Sequence, residues 1–353
     1  MSPQAGSPPR TVRLCLLGFG SVARAFCALL AGQERVLAEE HGLTVSITGV
    51  GTRRGSLLAP EGLPAQAVLA VVGAAAPPDP PRPAFELLTA SAADVLVELT
   101  VMEKDYAPLA TRNLEDAFAL GMDVVTANKG PIAWNWRRVA AAAAASGRRL
   151  RFESTVMDGL PVFSLLEFAL PDCRLLGFEA VFNATTNVIV DTIAAGGSFD
   201  AALARAQADG YAEADPAHDI DGWDAACKAA ALANVAMDAD LTPDDVERQS
   251  LRDVPPERIA AAHDAGRRLR LVTSVRREKD AGTPEDTPAA VRARVHAEEL
   301  DIDHPLASLA GESLGVVLHT DLMADVVVCE RHALVPQTAY GVYADLLHLC
   351  RMS

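Results

Sequence analysis

The stretch RLCLLGFGSVARAFCALLA, residues 13–31, constrains the fold of this chain more than any other. An apolar run, a glycine turn and a helix-forming run follow one another without a break. Gly18 permits the tight turn, and Gly20 leaves room for a pyrophosphate against the backbone. The free N–H groups of a helix beginning around Ser21 and Val22 would face that anion. Gly18, Phe19, Gly20, Ser21 and Val22 are therefore candidate dinucleotide contacts. Ala23 stands where the third glycine of G-x-G-x-x-G is usual, a permitted change at the helix–strand packing position. A glycine turn before an ordinary helix would look the same in isolation, so the context decides. LTVSITGVGTRRG (43–55) reads as a second strand, with DVLVELTV (94–101) and MDVVTANKG (122–130) as later parallel strands separated by helical segments. That order predicts an α/β fold with a Rossmann-type, doubly wound nucleotide-binding domain.

Cofactor choice turns on the end of the second strand. A carboxylate there would bind the adenosine ribose hydroxyls and favour NAD, but Arg53 and Arg54 occupy the position. They are either solvated loop charges or partners for a 2′-phosphate. The second alternative leans towards NADP, with Arg53 as a candidate contact, and NAD stays open.

A chain of 353 residues has room for two domains. The nucleotide domain is expected over 1–150, completed by about 331–353. Residues 151–330 read as an α+β catalytic and dimerisation domain. In this second part strands at CRLLGFEAVF, RARVHAEEL and GVVLHTDLMADVVVCE alternate with a helix from Pro161 and a helical block from Phe199, a pattern that fits a sheet covered by helices on one face. The amphipathic TAYGVYADLLHLC returns to the first domain. AAAPPDPPRP (74–83) and REKDAGTPEDTP (277–288) read as surface loops. With 31 basic against 47 acidic residues the net charge is −16, which argues against nucleic-acid binding. No apolar stretch is long enough to span a bilayer. The N-terminal arm lacks the apolar core of a signal peptide. Six scattered cysteines without CxxC spacing read as reduced thiols of a cytoplasmic protein.

The chemistry gathers in two places. TANKGPIA (126–133) ends a parallel strand, where α/β sheets bind ligands, and puts Lys129 at that edge. DGYAEADPAHDIDGWDAACK (209–228) carries a cluster of acids, with Asp224 and Lys228 four residues apart on one helix face. An exposed pair of this kind contributes a few tenths of a kcal/mol, at most about 1 kcal/mol. The apolar, alanine-rich flanks point instead to a charged pair lining a pocket. His218 reads as a solvated loop residue. The hydroxyls of FNATTNVIV serve either a pocket or local turns.

TANKGPIA, FESTVMDGLPV, FNATTNVIV, FDAALARAQADGYAEADPAHDIDGWDAACKAAALA, HPLASLAGESLGVVL and QTAYGVYADLL resemble the homoserine dehydrogenase family, in that family's order, over nearly the whole chain. The resemblance implies NAD(P)H-dependent reduction of L-aspartate 4-semialdehyde to L-homoserine, or the reverse, in threonine and methionine biosynthesis by a homodimer. It implies that Lys228 is the catalytic proton donor and Lys129 a second active-site lysine beside the nicotinamide. Glu213 and Asp224 would hold the substrate's ammonium group and water, and Thr100 and Gly341 would contact the nucleotide. Glu153, with the backbone carbonyls of Val156, Asp158 and Leu160, would bind a monovalent cation, Na+ or K+. Met157 and Asp158 stand where two glycines are commoner, and Ala184 replaces the glycine of N-G-T-T-N. RHALVPQTAYG lacks a glycine-rich turn. No kinase or amino-acid-binding regulatory domain is read in the sequence, so threonine feedback through one is not expected. Two rival readings are an oxidoreductase of another amino-acid aldehyde and a noncatalytic nucleotide-binding regulator.

Overall fold

The computed structural model describes residues 9–73, 76–103, 105–208, 216–278 and 289–351. The chain forms two units. The first comprises Met1–Pro131, Asn135–Gly159 and Val335–Ser353, the second Ile132–Trp134 and Leu160–Leu334.

The first unit is built on a six-stranded sheet of order β3-β2-β1-β4-β5-β6. Its strands are β1 (Arg10–Leu17), β2 (Leu43–Thr52), β3 (Gly55–Leu63), β4 (Val95–Glu98), β5 (Asp123–Thr126) and β6 (Leu150–Arg151). β1 pairs in parallel with β2 and β4, β4 with β5, and β5 with β6. The order reverses at β1/β4, which makes that junction the topological switch point. Leu14 and Leu16 of β1 pack on one face against α1 (Ser21–His41) and the C-terminal helix (Val335–Arg351). Cys15 and Leu17 pack on the other, against Leu87 of α3 (Ala84–Ser91) and Leu114 of α4 (Pro108–Ala119). Burial on both faces explains the unbroken apolar run of this strand. The remaining helices of the unit are α2 (Ala65–Val72) and α5 (Gly130–Ser146). β6 hydrogen-bonds to β5, so the ladder, rather than the change of sequence pattern near residue 150, carries the first unit on to Gly159.

The segment read as one strand over 43–55 is the start of a hairpin instead. β2 ends at Thr52 and β3 returns antiparallel from Gly55, with Arg53 and Arg54 at the tip. The cause is local, because Thr52 Oγ1 accepts from the N–H groups of Arg54 and Gly55 and closes the turn. A side chain at Gly55 would meet Asp79 and Pro77 carbonyls, because the proline-rich segment bridges back to Ser56.

The second unit holds another six-stranded sheet, order β12-β11-β7-β9-β10-β8. Its strands are β7 (Leu175–Val181), β8 (Glu247–Arg248), β9 (Arg268–Glu278), β10 (Ala290–Leu300), β11 (Leu314–Thr320) and β12 (Asp325–Glu330), antiparallel except for β8 with β10. The helix expected from Pro161 is short: α6 (Val162–Ser164) widens into a π-turn over Leu165–Ala169. The helical block resolves into α7 (Ala184–Ala194), α8 (Phe199–Ala208), the single turn α9 (Ala217–Ile220), α10 (Trp223–Met237) and α11 (Pro256–Asp264). α10 lies against β7, β9 and β10. Its alanines 225, 226, 229, 230, 231 and 233 are all buried, and their small side chains let the helix backbone approach the sheet closely. Among the described residues no helix is long and apolar enough to cross a membrane.

Candidate active site

In the first unit the β1–α1 turn is set by steric necessity. Gly18 has φ +89°, its N–H donates to the Gly51 carbonyl at 2.8 Å, and a Cβ there would lie 2.3 Å from the Leu99 oxygen. The turn therefore abuts the loop after β4, at the switch point. Gly20 differs in kind. It is the N-cap of α1, no side chain caps the helix, and a Cβ there would meet nothing within 4 Å. Open space before an uncapped helix N-terminus fits a dinucleotide pyrophosphate. Phe19 is buried, Ser21 exposed and Val22 half-buried around this turn, while Arg53 is exposed at the hairpin tip.

Across the switch point the end of β4 carries a buried network. Glu98 is 0% exposed, and its carboxylate accepts from the backbone N–H and the hydroxyl of Thr100 and from Thr126 Oγ1. Asn128 Nδ2 donates to Thr100 Oγ1 at 3.2 Å, and Asn128 Oδ1 accepts from the Gly130 N–H at 3.0 Å. Lys129, half-buried, lies between these two and is the N-cap of α5. Burial pushes the Glu98 carboxyl up to about 7, and the hydrogen bonds from Thr100, Thr126 and Asn113 only partly offset it.

Gly341 packs in the C-terminal helix so closely that a Cβ would lie 2.2 Å from Ser154 Oγ. In the same loop Glu153 and Val156 are buried, and the Glu153 N–H donates to Asp345. Asp158 adopts φ +49°, the left-handed region that favours glycine, and its carboxylate accepts from Thr338 Oγ1 at 2.8 Å. Leu160 begins the second unit. Among the described residues no three His, Cys, Asp or Glu side chains gather as a metal centre. The residues expected for a cation offer one carboxylate and backbone carbonyls, a hard-oxygen set compatible with an alkali ion.

In the second unit Lys228 is not a surface charge. Its side chain is 15% exposed, Nζ lies 3.1 Å from Asp224 Oδ2, and it donates to the Phe182 carbonyl at 2.7 Å. Gly222, in the left-handed conformation at φ +75°, starts α10, which places Asp224 in the first turn and Lys228 one turn later. Asn183, the N-cap of α7, accepts from the Thr186 N–H and donates from Nδ2 to Asp219 at 2.9 Å and Asp224 at 3.2 Å. Thr185 Oγ1 donates to the second Asp219 oxygen at 3.0 Å. The three polar side chains of the T-T-N run thus separate: Thr185 joins the acids, Thr186 bonds the Asn183 carbonyl, and Asn187 ties to Ser313.

Asp219 is a site residue to which the sequence reading gave no role. It sits on the one-turn helix α9, too short to show a period; the only signal is its place in the acidic run. Its pKa is raised, first by burial and then by the charge of Asp224. Two carboxylates facing one ammonium leave a net negative pocket suited to another cation. Two contacts engage the Lys228 ammonium among the described residues, which leaves one N–H for an oxygen that gains negative charge. His218 is half-exposed on α9, and Glu213 lies outside the described residues.

Known proteins carry the same architecture. The model of the homoserine dehydrogenase NAD-binding domain matches residues 18–153, and that of the homoserine dehydrogenase domain matches 161–347. The NAD(+)-dependent homoserine dehydrogenase of Pseudomonas canavaninivorans is 32% identical over 96% of this chain and 96% of its own length. The Mycobacterium leprae homoserine dehydrogenase is 30% identical over 98% of this chain and 74% of its own. Among solved structures, the homoserine dehydrogenase of Thermoplasma acidophilum superposes with a TM-score of 0.81 at 26% identity, covering 97% of this chain and 100% of that one. A hyperthermophilic archaeal homoserine dehydrogenase in complex with NADPH gives 0.79 at 25%, over 98% and 99%. Two family domains spanning both units, with a relative of 32% identity matched along 96% of its own length, mean that the chain belongs to the homoserine dehydrogenase family.

Proposed function

We propose that the protein catalyses the reversible, NAD(P)H-dependent reduction of L-aspartate 4-semialdehyde to L-homoserine, in threonine and methionine biosynthesis. The observation that carries this reading is Lys228, an ammonium held indoors between Asp224 and the Phe182 carbonyl. The bound nicotinamide supplies the hydride. Lys228 stabilises the alkoxide that forms on the aldehyde oxygen and protonates it. Asp224 pairs with the lysine and, with Asp219 and Glu213, balances the substrate's own ammonium. Gly18 to Val22 and Thr100 receive the dinucleotide, Lys129 serves as the second lysine, and Gly341 belongs to the nucleotide side.

NADP is the preferred cofactor in this reading, supported by Arg53 and Arg54 at the hairpin tip. The name of the Pseudomonas relative favours NAD as the alternative. Glu153 and the carbonyls of Val156, Asp158 and Leu160 bind Na+ or K+. The enzyme acts as a cytoplasmic homodimer through the sheet of the second unit, where Val327 of the outermost strand is exposed. Steady-state assay of homoserine oxidation with NADP+ and NAD+, beside a panel of other amino-acid aldehydes with the reduced cofactors, tests the reading. A marked preference for another aldehyde overturns it.

A further inference from the structure

Burying a carboxyl without a cationic partner is costly. Glu98 nevertheless ends β4 at 0% exposure, opposite Leu17 of β1, at the switch point where a doubly wound sheet binds its ligand. Among the described residues the groups that bear on it are Thr100 from the following loop, Thr126 from β5 and Asn113 from α4, none of them charged. An apolar residue would fill the space at lower cost. What it could not do is accept from Thr100 twice and from Thr126 at once, and so fix the Thr100 hydroxyl. Thr100 in turn receives Asn128, which caps Gly130, so one carboxylate ties together the ends of β4 and β5 just ahead of Lys129 in the chain.

We propose that Glu98 is a positioning residue of the dinucleotide site, whose carboxylate holds Thr100 and, through Asn128, the Lys129 segment in the arrangement that binds the cofactor. This rests on the nucleotide reading of the first unit. Once protonated, one oxygen of the carboxyl becomes a donor and the group accepts more weakly, so the grip on Thr100 or Thr126 loosens. Burial brings that change to about pH 7.

The test is binding alone, with no aldehyde or alcohol present. NADPH and NADH are titrated into the full-length protein between pH 6 and 8.5 by their fluorescence, with thermal unfolding followed in parallel. Wild type should bind about tenfold more tightly at the alkaline end, the effect of one charge-assisted hydrogen bond. Glu98→Gln should remove the pH dependence and stay near the weaker, acid-side affinity while remaining folded. Thr100→Val leaves the carboxyl but removes the hydroxyl it grips, and should also weaken binding about tenfold. Flat binding by wild type, or wild-type affinity and slope in either variant, overturns the inference without touching the substrate assignment. Absence of binding to both dinucleotides at every pH overturns it together with the nucleotide reading.

Discussion

Lys228 and Asp224 face each other at 3.1 Å from successive turns of α10, with their side chains 15% and 12% exposed. At that burial the pair is more than an ornament of the helix surface, because removing one partner strands the other away from water. In the proposed reaction the arrangement has a chemical reason: an ammonium that meets a nascent alkoxide. Lys228→Ala should lower kcat by about 10²–10⁴-fold, the span of a lost general acid, while the affinity for NADPH stays within about twofold. Single-turnover assays beside nucleotide titration check this. Equal loss of both would make Lys228 a structural residue.

The two glycines of the β1–α1 turn separate fold from binding. Gly18 combines φ +89° with a backbone oxygen 2.3 Å from any Cβ, so Gly18→Ala should cost at least about 2 kcal/mol of stability, visible as a lower denaturant midpoint. Gly20 has φ −86° and open space where its Cβ would go. Gly20→Ala should therefore unfold at the wild-type temperature yet bind dinucleotide about tenfold or more weakly, because the methyl occupies the approach of the pyrophosphate. Equal behaviour of the two variants, in unfolding and in titration, would contradict this division.

Much of this was legible in the sequence for a physical reason. Gly18 to Ala23 and the Lys228 helix are local patterns, in which the spacing of residues fixes what faces what. The hairpin at Arg53 escaped because its cause is a single hydroxyl, Thr52 Oγ1, closing a turn within a run that otherwise reads as strand. Glu98 and Asp219 escaped for another reason. Their partners lie far along the chain, Thr126 for Glu98 and Asn183 and Thr185 for Asp219, and no period in the sequence reports such contacts.

Arg53, exposed at the tip of the β2–β3 hairpin, should matter for cofactor choice and little else. Arg53→Glu should raise KM for NADPH about tenfold, the order of one lost charge-assisted phosphate contact, and leave KM for NADH and the unfolding temperature nearly unchanged. An unaltered ratio of the two KM values would return Arg53 to the role of a solvated turn residue and favour NAD.

Asp219 links stability to pH with a definite sign. Its carboxyl is raised above its ordinary value of 3.8 by burial and by Asp224, so the folded chain holds this proton to higher pH than the unfolded chain does. Folding therefore loses stability as pH climbs from that value through the folded-state value, and the deficit persists above it. Asp219→Asn cannot ionise and keeps an oxygen for the Asn183 amide. It should unfold at a higher temperature than wild type at pH 8, with the gap closing as the pH is lowered towards 4. In the proposed reaction the same change removes one of the charges that balance the substrate's ammonium, and KM for homoserine should rise by about tenfold or more. Calorimetry across pH together with steady-state kinetics measures both. A variant less stable than wild type at pH 8 would mean that Asp219 is held for the sake of the fold, and the pocket would lose one of its two described acids as a binding group.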